Sequence, residues 1–220
     1  KLVFKSKRGE PVPPEDLVNV MIHDGLWDVY NDVHMGNTGE IVAKEFSLSR
    51  ESIDEFSLSS HEKAHAAWEN GWFEEESFSV KGVDREGNEM LLERDEGIRG
   101  NISIEKLSEM KPAFLDDGVV TAGNASQLSD GASAVLVASA KFAEEHGLTV
   151  YCTIRDYVTS GVEPERVMAA PIPAINSLLE RNNLSIDDID VFEHNEAFAS
   201  ASCAVLAGVG IPEEKFNLHG

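Results

Sequence analysis

Apolar residues recur at three- to four-residue spacing through Ile53, Phe56, Ala64, Ala67 and Trp68, which predicts one amphipathic helix. Ser49 reads as its N-cap, Leu48 and Ile53 as a hydrophobic staple, and Asn70-Gly71 as its end. Before it, residues 1–40 are punctuated by Pro and Gly, with one short helix expected from Pro14 to Met21. After it, Phe78 to Val83 and Met90 to Leu92 flank Asp84-Arg-Glu-Gly-Asn88, the pattern of a hairpin. Ile102 to Met110 reads as a short helix stopped by Pro112, and Val119 to Asn124 as a Gly-bearing turn.

From Ala132 the pattern changes. Ala132 to Ala138 is a valine-rich run expected to be a buried strand, followed by a helix over Ala140 to His146. Tyr151 to Thr159 alternates as a strand would, Ile172 to Arg181 is helical and closed by Asn182-Asn183, and Ser185 with Asp188 forms a capping box. Val191-Phe192 is a short strand, and Glu196 to Val209 a helix of small residues. Strand and helix thus alternate, which predicts an α/β arrangement of helices on a largely parallel sheet. The first half does not alternate and reads as a looser insertion.

Composition narrows the function classes. A hydrophobic share of 42% in 220 residues suits a globular chain, and no apolar run approaches the ~20 residues that span a bilayer. The formal charge of −22 disfavours nucleic acid and anionic membranes as partners. It suits either an acidic cytoplasmic protein or a high-salt habitat, and it obliges any anionic ligand to find local basic groups. Cys152 and Cys203 are expected as two reduced, buried side chains. The chain begins at Lys1 and stops in the apolar run Lys215 to Gly220, which reads as a strand cut short.

Four segments could carry chemistry. His61-Glu-Lys-Ala-His65 fits the zinc-hydrolase pattern HExxH, two imidazoles and a general base on one helical face, but no third ligand announces itself downstream. Glu193-His-Asn-Glu-Ala-Phe-Ala199 lies between a strand and a helix, where ligands bind α/β proteins and where helix N–H groups meet developing negative charge. The same polar residues could equally cap the helix. Lys111-Pro-Ala-Phe114 with Thr121-Ala-Gly-Asn-Ala-Ser126 and Asp130-Gly131 would let a ligand lie close to the backbone, or form an ordinary turn. Tyr30-Asn-Asp-Val-His34-Met35-Gly36 could line a pocket.

These segments occur together and in this order in thiolases. With Met21-Ile-His-Asp-Gly-Leu26, Glu40, Val42-Ala43, Leu48-Ser-Arg50, Asp54-Glu-Phe56, Pro171-Ile-Pro173 and Asn195-Glu-Ala-Phe-Ala199, the chain resembles that family along nearly its whole length. The resemblance implies a partial thiolase-like α/β fold. It assigns residues 1–128 to a loop domain that binds coenzyme A, 129–147 to the end of the N-terminal half, and 148–220 to the first part of the C-terminal half. It further implies an acyltransferase of the acetyl-CoA acetyltransferase type, a homodimer or homotetramer when full length, with coenzyme A thioesters as substrates and no other cofactor. The acyl-accepting cysteine and its activating histidine, with the second cysteine, would lie outside this stretch, so the chain alone is expected to be inactive. Cys152 and Cys203 match none of these positions.

By the same resemblance, Asn195 is the catalytic residue, holding a water in the oxyanion hole for the enolate. Leu26, His34, Met35, Phe114, Ala122, Ser126, Leu128, Met168 and Phe198 would line the pantetheine and acyl channel, with Ser126 bonded to a pantetheine amide and Arg99 at the nucleotide end. Lys106 stands where relatives often place a serine, and Gly39 replaces a common alanine. The His34-Met35 pair points to the short-chain, acetoacetyl-forming branch. A non-catalytic thiolase-like coenzyme A-binding protein is the alternative of another class.

Overall fold

The computed structural model describes residues 2–4, 17–84 and 86–220. Helices supply its core. Helix α1 (Met35–Glu45) starts at His34, whose imidazole Nδ1 accepts the Gly36 N–H at 2.9 Å. Helix α2 (Arg50–Glu69) starts at Ser49, whose hydroxyl accepts the Ser52 N–H at 3.1 Å. It ends at Asn70, and Gly71 follows with φ +72°, where a Cβ would be strained. Leu48 packs on Ile53, as a staple requires.

Helix α6 (Ala199–Val209) is built of small residues, so α1 and α2 approach it closely. Ser200 Oγ donates to the Gly39 carbonyl at 3.0 Å, and a Cβ at Gly39 would meet Phe198, Val120 and Ser200 at 3.2–3.4 Å. Around α6 lie four apolar clusters, centred on Val42 and Ala204, on Ala43 and Ile53, on Val120 and Phe198, and on Val205 and Phe216. Each buried Val, Ile or Phe contributes roughly 1.5–3 kcal/mol by leaving water. Helix α5 (Pro171–Asn182) packs on α6 and closes at Asn183 in the left-handed region, as its Asn-Asn end predicts.

Strands are few. Among the described residues three two-stranded antiparallel sheets form: β1 (Leu2–Phe4) with β2 (Leu17–Asn19), β3 (Trp27–Asp28) with β4 (Val33–His34), and β5 (Val80–Val83) with β6 (Glu89–Leu92). The last is the expected hairpin. Asp84 Oδ1 accepts the N–H groups of Glu86 and Asn88 and thereby closes its turn, in which Arg85 lies outside the described residues. Of the helix expected from Pro14 to Met21, residues 14–16 lie outside the described residues. Leu17–Asn19 is a strand instead, because its backbone pairs with Leu2–Phe4.

The largely parallel sheet is not formed among the described residues. Ala132 to Ala138 and Tyr151 to Thr159 belong to no ladder, and Val135 and Tyr151 are 86% and 93% exposed. A strand needs a partner edge to satisfy its backbone, and neither run has one here. One parallel bridge does form, Phe192 to Phe216. Helix α3 (Ile104–Ser108) and helix α4 (Ala140–Glu145) are both capped by serines, Ser103 and Ser139. No helix among the described residues is long and apolar enough to cross a membrane.

Candidate active site

Residues 121–126 and 195–199 are zipped together. Asn124 O accepts the Ala199 N–H and Ala197 O accepts the Ser126 N–H, both at 2.9 Å, on either side of an antiparallel bridge between Ala125 and Phe198. This short ladder sets Ser126 beside the loop that carries Asn195, and both residues are exposed. It also delays α6, which begins at Ala199 rather than at Glu196. The Ala199 N–H, the first of the N–H groups expected at this helix start, is therefore occupied by protein and not offered to a ligand.

Three buried polar side chains hold the turn. Glu40, 7% exposed, accepts the N–H groups of Val119 and Val120 at 2.9 Å each. Asn124 Oδ1 accepts the Thr121 N–H, and its Nδ2 donates to Val119 O and to Asp54. Asp54 also receives Arg50 Nε at 2.6 Å, and Arg50 Nη2 reaches the carbonyls of Leu107 and Met110, just ahead of Lys111-Pro-Ala-Phe114. One network thus positions both segments.

An aromatic wall completes the site. The His34 ring stacks on Phe114 at 4.9 Å between centroids, and Phe114 meets Phe198 edge-on at 6.3 Å. Gly36 is necessary beneath it, since a Cβ there would fall inside the Phe114 ring. Met168 packs on the Val120–Phe198 cluster, and Met35, half-buried, donates its N–H to Leu26 O. So the fold gathers His34, Phe114, Phe198 and Met168 at one end, with Ser126 and Asn195 on adjoining backbone.

Other expected residues lie exposed at the surface. Leu128 is 75% exposed, and Ala122 sits exposed in the turn. Lys106 Nζ is turned to Asn101 O at 2.7 Å, and Arg99 is exposed, with its backbone N–H donated to His61 Nδ1 at 3.3 Å. That bond engages one imidazole of the HExxH pattern, and the His65 ring lies against Gly100. Burial, and then the Arg99 charge, hold His61 below the usual imidazole range. Among the described residues no three His, Cys, Asp or Glu side chains are grouped to hold a metal. Of the two cysteines expected to be buried, Cys203 is half-buried and Cys152 exposed, since the run from Tyr151 has no partner strand among the described residues to cover it. Cys203 is pushed up to about 12, first by burial and then by Glu213, so its thiol is protonated at neutral pH.

Glu40, Arg50 and Asp54 are among the residues that carry the resemblance, but their supporting role was not legible because most of their partners lie far along the chain. Only the Arg50–Asp54 spacing of one helical turn was a local signal.

Comparison with known proteins agrees with this geometry. Residues 4–141 match the family model for the thiolase N-terminal domain, and residues 148–220 that for the thiolase C-terminal domain. A probable acetyl-CoA acyltransferase of Staphylococcus aureus (strain COL) is 42% identical over 219 residues, 100% of this chain and 56% of that protein. Among solved structures, the Bacillus anthracis acetyl-CoA acetyltransferase superposes with a TM-score of 0.92 at 34% identity, over 100% of this chain and 56% of that one. Human mitochondrial 3-ketoacyl-CoA thiolase gives 0.88 at 34% identity, over 99% and 54%. The chain thus spans about half the length of the relatives it matches. It belongs to the thiolase family.

Proposed function

We propose that the full-length protein is an acyltransferase that condenses two acetyl-CoA to acetoacetyl-CoA, or cleaves it in the thiolytic reverse, through an acyl-cysteine intermediate. The chain supplies the oxyanion side and part of the coenzyme A channel. The observation that carries the reading is the ladder joining Asn124–Ser126 to Ala197–Ala199, which brings Ser126 to the Asn195 loop beside the Phe114–Phe198 wall.

The chemistry explains the residue types. A thioester α-carbon is a weak acid, so removing its proton leaves negative charge on the thioester oxygen. That oxygen must be met by preorganised donors. Asn195 can orient such a donor, a water, without bringing its own charge. Ser126 holds a pantetheine amide, Leu26, His34, Met35, Phe114, Ala122, Leu128, Met168 and Phe198 line the channel, and Arg99 meets the nucleotide end. Against a net charge of −22, this local cation matters for an anionic substrate. No cofactor beyond the thioesters is required. The division at 128 and 147, a homodimer or homotetramer, and a cytoplasmic place belong to the same proposal.

The test uses the full-length protein and acetoacetyl-CoA. Loss of one oxyanion donor typically costs about 10²–10³ in kcat, so Asn195→Ala should fall by that order with coenzyme A binding little changed. Wild-type turnover in that variant rejects the reading.

A further inference from the structure

We propose that Asn217 is the positioning residue of the Asn195 loop, a role that rests on the function proposed for Asn195. Asn217 is 3% exposed and follows Phe216, the partner of Phe192 in the single parallel bridge among the described residues. The bridge is made by Phe192 N–H to Lys215 O at 2.7 Å and Asn217 N–H to Phe192 O at 2.9 Å. At Asn217 the backbone turns left-handed, with φ +42°, and the ladder stops. Asparagine adopts this conformation more readily than most residues.

Its side chain then takes over from the backbone. Asn217 Oδ1 accepts the His194 N–H at 2.8 Å, and Nδ2 donates to the His194 carbonyl at 2.9 Å. Two bonds of opposite sense to one residue are what the peptide groups of a neighbouring strand would give. The other Nδ2 hydrogen goes to Glu196 Oε1 at 2.6 Å, and Glu196 Oε2 receives the Ser60 hydroxyl from α2, also at 2.6 Å. A side-chain amide has two N–H hydrogens, and here both are used.

The residues on either side of Asn195 are therefore fixed by one side chain. His194 is held further by Ser202 Oγ at 3.2 Å and by its ring against Phe216. Between them Asn195 is exposed, and its Cα–Cβ direction follows from its neighbours. Aspartate at 217 would lack both donors, and glutamine would be one methylene too long. Buried and with its amide bonded to His194 and Glu196, Asn217 acts through Asn195 rather than by touching substrate.

The experiment is a double-mutant cycle in the full-length enzyme. Asn217→Gly keeps the left-handed backbone and deletes only the amide. A misplaced catalytic group costs up to about 100-fold, so kcat should fall about ten- to hundredfold while KM for acetyl-CoA moves less than about threefold. Added to Asn195→Ala, Asn217→Gly should change kcat less than about twofold, because the group it positions is gone. Wild-type kcat in Asn217→Gly, or losses that multiply in the double variant, overturn the proposal. If Asn195→Ala alone is fully active, the function proposed for Asn195 fails, and this inference with it. If Asn217→Gly does not fold, the cycle is run with Asn217→Asp, which keeps the Oδ1 acceptor and removes both donors. A several-fold kcat loss confined to the Asn195 background supports the role, and an additive loss or none overturns it.

Discussion

The side-chain amide of Asn124 donates to the carboxylate of Asp54 at 2.8 Å, across 70 positions of sequence, and both residues are buried. This bond ties the start of α2 to the turn that forms the floor of the site. Arg50 on the other carboxylate oxygen extends the tie to the segment before Phe114.

Breaking such a pair from one side leaves its partner without compensation. Asp54→Ala should destabilise the full-length protein by about 3–5 kcal/mol, since the Arg50 guanidinium then sits against carbonyls with no carboxylate. Asn124→Ala removes one partner each from the Thr121 N–H, the Val119 carbonyl and Asp54 Oδ1, which keeps Arg50 on its other oxygen, and should cost about 1–3 kcal/mol for a group left unpaired. Chemical denaturation midpoints measure both. A shift below about half a kilocalorie in either would mean the network is solvated in solution.

Gly36 offers a steric counterpart. A methyl at this position meets the Phe114 ring head-on, so Gly36→Ala must push Phe114 off the His34 stack. Overpacking of this kind costs about 1–3 kcal/mol. KM for acetyl-CoA should rise several-fold in the same variant. Unchanged KM with a lowered Tm would separate packing from substrate contact.

Much of this was legible locally. Ser49 as a cap, the Asp84–Asn88 turn, the Asn183 stop and the Ser185–Asp188 box each depend on neighbours within five residues, and each is present. Features that depend on distant partners were not legible. The run Ala132 to Ala138 signals a wish to be buried, yet a strand forms only against another edge, and the run itself cannot say whether one is there. Likewise Phe198 belongs by composition to the helix that follows, but its bridge to Ala125 draws it into extended backbone. The aromatic and turn segments of the site were visible as motifs. Their supports, Glu40 on Val119 and Asn217 on His194, were not, because nothing near Glu40 hints at a partner 79 residues away.

Two half-buried imidazoles give the protein an acid limit. Burial holds His194 below its ordinary value of 6.5, with Glu196 partly opposing, and His61 is lowered in the same direction. As pH falls through 6.5 the unfolded chain binds protons that the folded one refuses. Their contribution to stability is complete above that value and is lost as pH falls on through the folded values. Tm measured at about pH 7.5 and about pH 5.5 should drop less in His194→Gln than in wild type, and least in the double variant with His61→Gln. Parallel curves for all three proteins would show that neither imidazole titrates abnormally.

Cys203 is an inert thiol in spite of its place on α6 near Glu196. With the thiol pushed up to about 12, only about one molecule in ten thousand is thiolate at pH 8, against roughly a quarter for an ordinary cysteine. The thiolate attacks iodoacetamide and displaces iodide, so the Cys203 peptide of the native full-length protein should stay unlabelled while the same peptide labels fully in denaturant. Peptide mapping by mass spectrometry reads both states. Cys203→Ala should keep kcat within about twofold, because the function proposed above places the acyl-carrying cysteine elsewhere. Native labelling as fast as denatured labelling, joined to a large loss of turnover in Cys203→Ala, would make this thiol the nucleophile and displace the role assigned to the rest of the site.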